Sequence, residues 1–293
     1  MDDTIDPAFL AYLKKQKDAG LTVPQIRDDL KNTLWSARDL DNALLTVGVD
    51  MRPQKTDTNK PTWGKVALGS FSSPEQMAFI HAVYGWMCGG LLITATIAYF
   101  VAETPILAQL ILGNEIVFLG LLIAEFLAVV YLATMVHKIS ATAASLVFLG
   151  YAALNGLTFS VIFLVYEISS IGSVFVITAG LFGAMSLYGY FTKKDLTTLG
   201  SFAVMALFGL VIAMFVNLFM QNDMTSLVLA CIGVVVFVIL TAYDTQKLKW
   251  MYELGRTEGV EGEKKEAING ALTLYLDFVN LFLDLLRILG KRR

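Results

Sequence analysis

Charge is what this chain has least of for its length. Asp, Glu, Lys and Arg make up 16% of its 293 residues against 56% hydrophobic residues, and the mean hydropathy is +0.64. That balance excludes an ordinary soluble protein. Cysteine and histidine are scarce too, at two each. Cys88 and Cys231 fall inside apolar runs without metal-ligand spacing, so they read as buried thiols behaving as small hydrophobes, not as a disulfide or redox pair. His81 and His137 stand far apart at the ends of apolar stretches and read as interfacial residues. No basic tract accompanies the net charge of -3, so no nucleic-acid partner is expected. The opening MDDTIDPAFL lacks a basic region followed by an apolar core, so no cleaved signal peptide is expected, and the first membrane helix would serve as the insertion signal. A nucleophile beside its base, a glycine-rich phosphate loop and HExxH are also missing. Neither an enzyme nor a bound cofactor is expected.

The residues that are present are unevenly distributed. Residues 1–75 are polar and charged, and most of the remaining chain is apolar runs between short polar loops. The expected fold is all-α: a polytopic membrane domain over 76–293, a soluble three-helix module over 1–48 and a linker over 49–75. In the module, Asp6-Pro7 and Thr22-Val23-Pro24 open helices, Gly20 can close one, and apolar residues recur at three and four. The stretch AGLTVPQIRDDLKNTLWSARDLDNAL resembles small modules of the ubiquitin-associated type, which supports a fold and not ubiquitin binding. It is also a candidate docking site for a protein partner.

Seven candidate spans lie at about 79–101, 115–137, 142–166, 171–191, 199–220, 226–248 and 270–289. Each is near the roughly 20 residues that cross ~30 Å of hydrocarbon. The loops holding Lys138, Lys193-Lys194 and Lys247 to Lys265 are basic, while those holding Glu103, Glu167 and Asn222-Asp223 have no Lys or Arg. Positive-inside bias therefore puts the N-terminus in the cytoplasm. The terminal Lys291-Arg292-Arg293 conflicts with that bias if the last segment crosses fully. Small residues such as Gly85, Gly89, Gly90, Gly180 and Gly183 read as helix-packing positions.

The last stretch, ALTLYLDFVNLFLDLLRILG, is long enough to cross a bilayer yet carries Asp277, Asp284 and Arg287. An acid at membrane depth costs about 2.5–3.5 kcal/mol on insertion scales and should face protein or water. Asp244, in VVVFVILTAYDTQKLKW, lies near the cytoplasmic end of the preceding span. By itself it could simply pair with Lys247 or Lys249, but Asp277 comes out at similar depth on the next helix. Two carboxylates there cannot both be charged cheaply, so they would titrate as a unit with a shared proton. A calcium ion could replace the proton in a weak, transient site, with Thr241, Asn280, carbonyls and water adding oxygens. Glu125 reads as an outer-vestibule acid or as a hydrogen-bond partner of a neighbouring helix. Asp284 and Arg287, three apart, read as a structural ion pair. An intramembrane aspartyl protease is disfavoured: Tyr243-Asp244 is present, but Leu276-Asp277 lacks the glycines of the second motif.

TAYDTQKLK, ALTLYLDFVNLFLDLLRILG and the connecting FTKKDLTTLGSF resemble the Bax inhibitor-1 family over about residues 75–293. The resemblance implies seven spans with the last helix central, and a pH-sensitive calcium leak whose two-aspartate sensor maps onto Asp244 and Asp277. Glu125 falls where bacterial relatives carry a second-span glutamate. Some relatives have an arginine near the end of the second span that pairs with the aspartates. Here the region reads Met135-Val136-His137-Lys138, so His137 or Lys138 becomes the candidate basic partner. The expected function is a pH-sensitive calcium-permeable leak channel in a bacterial plasma membrane. The alternative is a membrane regulator of a protease or stress complex, with the acids structural.

Overall fold

The computed structural model divides the chain into two units, residues 1–60 and 61–293. It describes residues 74–293, with Ala11, Leu13, Lys14 and Lys15 of the first unit. Apart from those four residues, the expected three-helix module and nearly all of its linker lie outside the described residues. From Pro74 onward the chain forms α1 (Pro74–Glu103), α2 (Pro105–Leu112), α3 (Glu115–Met135), α4 (Ala141–Val165), α5 (Ile168–Phe191), α6 (Thr197–Met220), α7 (Asp223–Thr257) and α8 (Gly259–Leu289). Among the described residues, the one strand-like feature is an isolated bridge between Tyr166 and Arg292. The protein is an all-α polytopic membrane protein: α1, α3, α4, α5, α6 and α7 are long and apolar enough to cross a bilayer. The short α2 caps the α1–α3 connection.

These helices are apolar nearly all round, so hydrophobicity cannot tell each one which face to bury. Residue size and hydrogen bonding sort the faces instead. On α1 the buried stripe is Val83, Met87, Gly90, Thr94, Ala98 and Val101, a narrow seam at steps of three and four. On α5 it is Ile171, Val174, Thr178, Phe182, Ser186 and Gly189. The outer faces carry Ile116, Phe126, Phe208 and Phe219, all strongly exposed, as expected where lipid is the solvent. Cys88 and Cys231 also lie on exposed faces. The expectation of buried thiols fails because an apolar run in lipid has two homes for a small hydrophobe.

Of the glycines that the small-residue clusters point to, Gly90 is a close-approach position and the others are not. Gly85, Gly89, Gly180 and Gly183 have open space where a side chain would be, while Gly189 lies against the Ala242 carbonyl and Gly156 against Ile97 and the Thr94 carbonyl. Gly90 leaves room for the edge-to-face pair of Phe148 and Tyr275.

The last helix is central. α8 packs most extensively on α7, then on α1, α5 and α4, and buries residues on every side. It runs the length of α4: at its start Glu261 Oε1 accepts the Ala141 N–H at 2.6 Å, and beyond its end Arg293 N–H donates to Val165 O at 2.9 Å. Lys291 closes that end with an ion pair to Glu167 at 3.0 Å and a backbone N–H to Ser170 Oγ at 2.9 Å. Polar anchors thus sit at both ends of the bundle, with the packed core between them.

Candidate functional site

The site is built by the turn between the two longest helices. Asn222 caps α7, accepting the Thr225 N–H at 2.9 Å, and the helix then runs unbroken to Thr257. Gly259, at φ 74, takes a left-handed conformation that a side chain would oppose and reverses the chain into α8. Gly255 and Gly262 let the helices touch backbone to backbone beside this turn. Antiparallel packing then brings residues at comparable distances on either side of the turn together. Asp244 and Asp277 meet there, in hydrogen-bonding contact with one another, 7% and 5% exposed. Asp277 Oδ2 is buried without a hydrogen-bond partner among the described residues.

The cation beside the pair is Lys247, with Nζ 3.9 Å from Asp244 Oδ1 one turn along α7. Neither His137 nor Lys138 occupies that role. Lys138 is exposed, and His137 Nδ1 lies 3.2 Å from Glu266 Oε1 instead. The physical reason is depth: His137 lies just beyond α3, level with the first turns of α8, and Asp277 is three turns further in. Around Asp244, Thr245 donates to Ser186 Oγ at 3.4 Å and lies 3.4 Å from the Tyr84 hydroxyl, tying α7 to α5 and α1. Thr241 and Asn280 donate to the carbonyls of Phe237 and Leu276 on their own helices, at 2.7 and 2.8 Å. The donor set is therefore dominated by the two carboxylates. No group of three or more His, Cys, Asp or Glu that could hold a metal occurs among the described residues.

Gln246 is the residue that sequence reasoning passed over. Its side chain is 1% exposed and reads the α5–α6 loop at two points, accepting Leu196 N–H at 3.0 Å and donating to Lys194 O at 2.8 Å. In the same loop Asp195 accepts the Thr197 N–H at 2.8 Å and its hydroxyl at 2.5 Å. Those bonds hold the Asp195 carboxyl below the ordinary range. Gly200 receives the Tyr243 ring. The motifs FTKKDLTTLGSF and TAYDTQKLK are thus two halves of one contact, a fact their separation in sequence conceals.

Glu125 is half-buried on α3 and accepts the Thr158 hydroxyl of α4 at 2.7 Å, the hydrogen-bonded alternative of its two readings. Nearby, Thr94 donates to the Ala152 carbonyl at 2.8 Å and meets the Tyr275 hydroxyl at 2.8 Å, joining α1, α4 and α8. The expected Asp284–Arg287 ion pair is not formed. Arg287 points outward and is exposed, whereas Asp284 is 5% exposed, lies against Gly233 of α7 and, among the described residues, makes no ion pair within 4.0 Å. Spacing of three permits such a pair on a free helix, but here α7 occupies one residue's side and not the other's. An apolar cavity of about 80 Å³, lined by Leu91, Phe159, Phe175 and Phe282 among others, holds none of these acids.

Comparison with known proteins converges on the same part of the chain. A family model described as "Inhibitor of apoptosis-promoting Bax1" matches residues 76–293. Inner membrane protein YbhL of Escherichia coli strain K12 is 50% identical over 215 residues, covering 73% of this chain and 92% of that protein. An uncharacterized protein of Deinococcus radiodurans is 43% identical over 231 residues, 78% of this chain and 97% of its own. One from Borreliella burgdorferi is 41% identical over 215 residues, 73% of this chain and 92% of its own. With the family model spanning nearly everything from α1 onward, the chain belongs to the Bax inhibitor-1 family of membrane proteins.

Proposed function

We propose that this protein is a pH-sensitive calcium-permeable leak channel whose gate is the α7–α8 seam at Asp244 and Asp277, and that it is neither an enzyme nor a carrier of a resident cofactor. The observation that carries the reading is two buried carboxyls in mutual contact on the central helix and its main neighbour. A hydrogen bond between carboxyls needs one proton. With it, the pair is a clasp; without it, two like charges face each other in a low-dielectric seam and push the helices apart. Lys247, 3.9 Å away, eases that repulsion without abolishing it. The closed state is the one with the shared proton, and flux rises with pH. A calcium ion entering the opened seam meets two carboxylates and completes its shell of six to eight oxygens with water and carbonyls, so it is held weakly and released.

In this reading α8 is a seventh span. At 31 residues it is about 46 Å long, and its intramembrane acids face protein as they should. The N-terminal unit and the basic loops face the cytoplasm of a bacterial plasma membrane, the setting that the name of YbhL supports.

The test is calcium entry into liposomes holding the purified protein, from about pH 6 to about pH 8, for wild type and for Asp244→Asn with Asp277→Asn. Higher wild-type flux at the upper pH, and pH-independent flux in the double variant, is the expected result. Two asparagines keep a neutral hydrogen bond at every pH. Wild-type flux no greater than through empty liposomes would end the channel reading in favour of a regulator acting through protein partners.

A further inference from the structure

We propose that one anionic phospholipid binds at the end of the bundle where α4 turns into α5, with an acyl chain in the apolar cavity and its phosphate on Arg292 and Arg293. This requires the helices to cross a bilayer and does not depend on the channel reading.

The cavity of about 80 Å³ lies among α1, α4, α5 and α8 and is lined by residues that include Leu91, Ala95, Phe159, Ile171, Phe175 and Phe282. Ala95 and Phe175 are exposed at its edge, so it communicates with the lipid-facing surface. Its one polar lining residue is Thr94, whose hydroxyl is already engaged by the carbonyls of Gly90 and Ala152, at 3.0 and 2.8 Å, and by the Tyr275 hydroxyl. A water would need roughly two to four polar partners and finds none free here. An ion would find no ligand. A neighbouring helix, about 10 Å across, is too thick for the space. A thin, flexible alkyl chain gains dispersion contacts on every side, and the membrane supplies it.

The chemistry of the headgroup is set at the adjoining end of the bundle. The last residues of the chain are fixed onto the α4–α5 turn by their backbone: Glu167 N–H donates to Lys291 O at 3.0 Å, Arg293 N–H to Val165 O at 2.9 Å, and Arg292 forms the bridge with Tyr166. Ile171 of the cavity follows Glu167 by four residues, about 6 Å along α5. Lys291 is neutralised by Glu167. The Arg292 and Arg293 side chains are exposed and, among the described residues, make no ion pair within 4.0 Å. They stand at the end opposite Lys264-Lys265, where positive-inside bias does not put cations. A phosphate is the anion that a membrane offers at that level, and guanidinium groups bind it through charge-assisted hydrogen bonds. Apolar cavity and unpaired cations are thus spaced as the tail and head of one lipid.

The test uses phosphatidylglycerol bearing a diazirine on one acyl chain, as a minor component of phosphatidylcholine liposomes that hold the full-length protein. Phosphatidylcholine with the same labelled chain is the comparison. After irradiation, the modified residues are mapped by mass spectrometry. The glycerol lipid should label the cavity residues of α1, α4 and α5 in excess over Ile123 and Ile212, both exposed, on α3 and α6 at similar distances from that end. The choline lipid should show a smaller excess. Arg292→Gln with Arg293→Gln should lower the excess about fivefold for each charge removed, with Ile123 and Ile212 labelled as before. Ala95→Phe, which fills the edge of the cavity, should lower it with both arginines intact. Labelling of the cavity no denser than of Ile123 and Ile212 overturns the site. An excess indifferent to headgroup and to the two arginines means a cavity that takes any chain, and overturns the anionic lipid.

Discussion

Glu266 is a buried acid on the first turns of α8, ahead of the 270–289 span. It has His137 at 3.2 Å and Asn269 Nδ2 at 3.4 Å. Burial is the largest influence and pushes its carboxyl above the ordinary value of 4.5, with the His137 contact working against it and Glu258 adding to it. Linkage gives the sign. Above 4.5 the folded protein holds this proton more tightly than the unfolded chain does, so the group favours folding at and below that value. That contribution is lost as pH rises through the higher folded value. Glu266→Gln cannot ionise, so its unfolding midpoint should exceed that of wild type progressively as pH rises, with no advantage in acid. Thermal unfolding in detergent across that range measures it, and parallel curves for the two proteins would contradict it. His137 belongs to this contact, joined by Lys265 Nζ 3.4 Å from the His137 carbonyl. Its removal should therefore perturb the α3–α4 turn without touching the aspartate clasp.

Between elements, the Gln246 side chain of α7 ties down the α5–α6 loop at two points. Gln246→Ala leaves the Leu196 N–H buried without an acceptor, at a cost of about 1–3 kcal/mol. The loop carries Lys193 and Lys194, so its release should appear as faster tryptic cleavage there in addition to a lower unfolding midpoint. A variant that loses stability with unchanged cleavage would show that the loop is held by something else. Asp244 is two residues from Gln246, and the same helical segment that bears the clasp is thus braced from the far side. The polar contacts are economical in this way throughout: Thr94 serves α1, α4 and α8 with one hydroxyl.

Across the whole molecule, the course of α8 decides what kind of object this is. Contacts at Ala141 and at Val165 place its two ends at opposite ends of α4. If α4 crosses the bilayer, α8 crosses with it, and the terminal Lys291-Arg292-Arg293 emerges opposite Lys264-Lys265. The positive-inside bias is then overruled by packing: Lys291 is matched by Glu167, and late charges have little say once the other helices are inserted. Single cysteines at Arg292 and Lys264, in a background where Cys88 and Cys231 are replaced by serine, should react with an impermeant maleimide from opposite sides of right-side-out vesicles. Labelling of both from one side would mean that the helix enters and returns.

Hydropathy and the placement of charge were enough to establish from sequence an all-α membrane domain beginning near residue 76. Those signals are local: a run of twenty apolar residues implies a span whatever surrounds it, and an acid within such a run must find protein or water. Motif resemblance went further and named the family, because FTKKDLTTLGSF and TAYDTQKLK keep their residue order whether or not their contact through Gln246 is known. Every choice between faces depended on tertiary structure. Spacing paired Asp284 with Arg287, the family resemblance offered His137 to the aspartates, the apolar runs buried Cys88 and Cys231, and residue size made packing positions of Gly85 and Gly89. In the fold Asp284 turns to Gly233, His137 to Glu266, the thiols face outward and close approach moves to Gly156 and Gly189. In a helix apolar all round, inward and outward faces look alike in sequence, and only the neighbouring helices distinguish them.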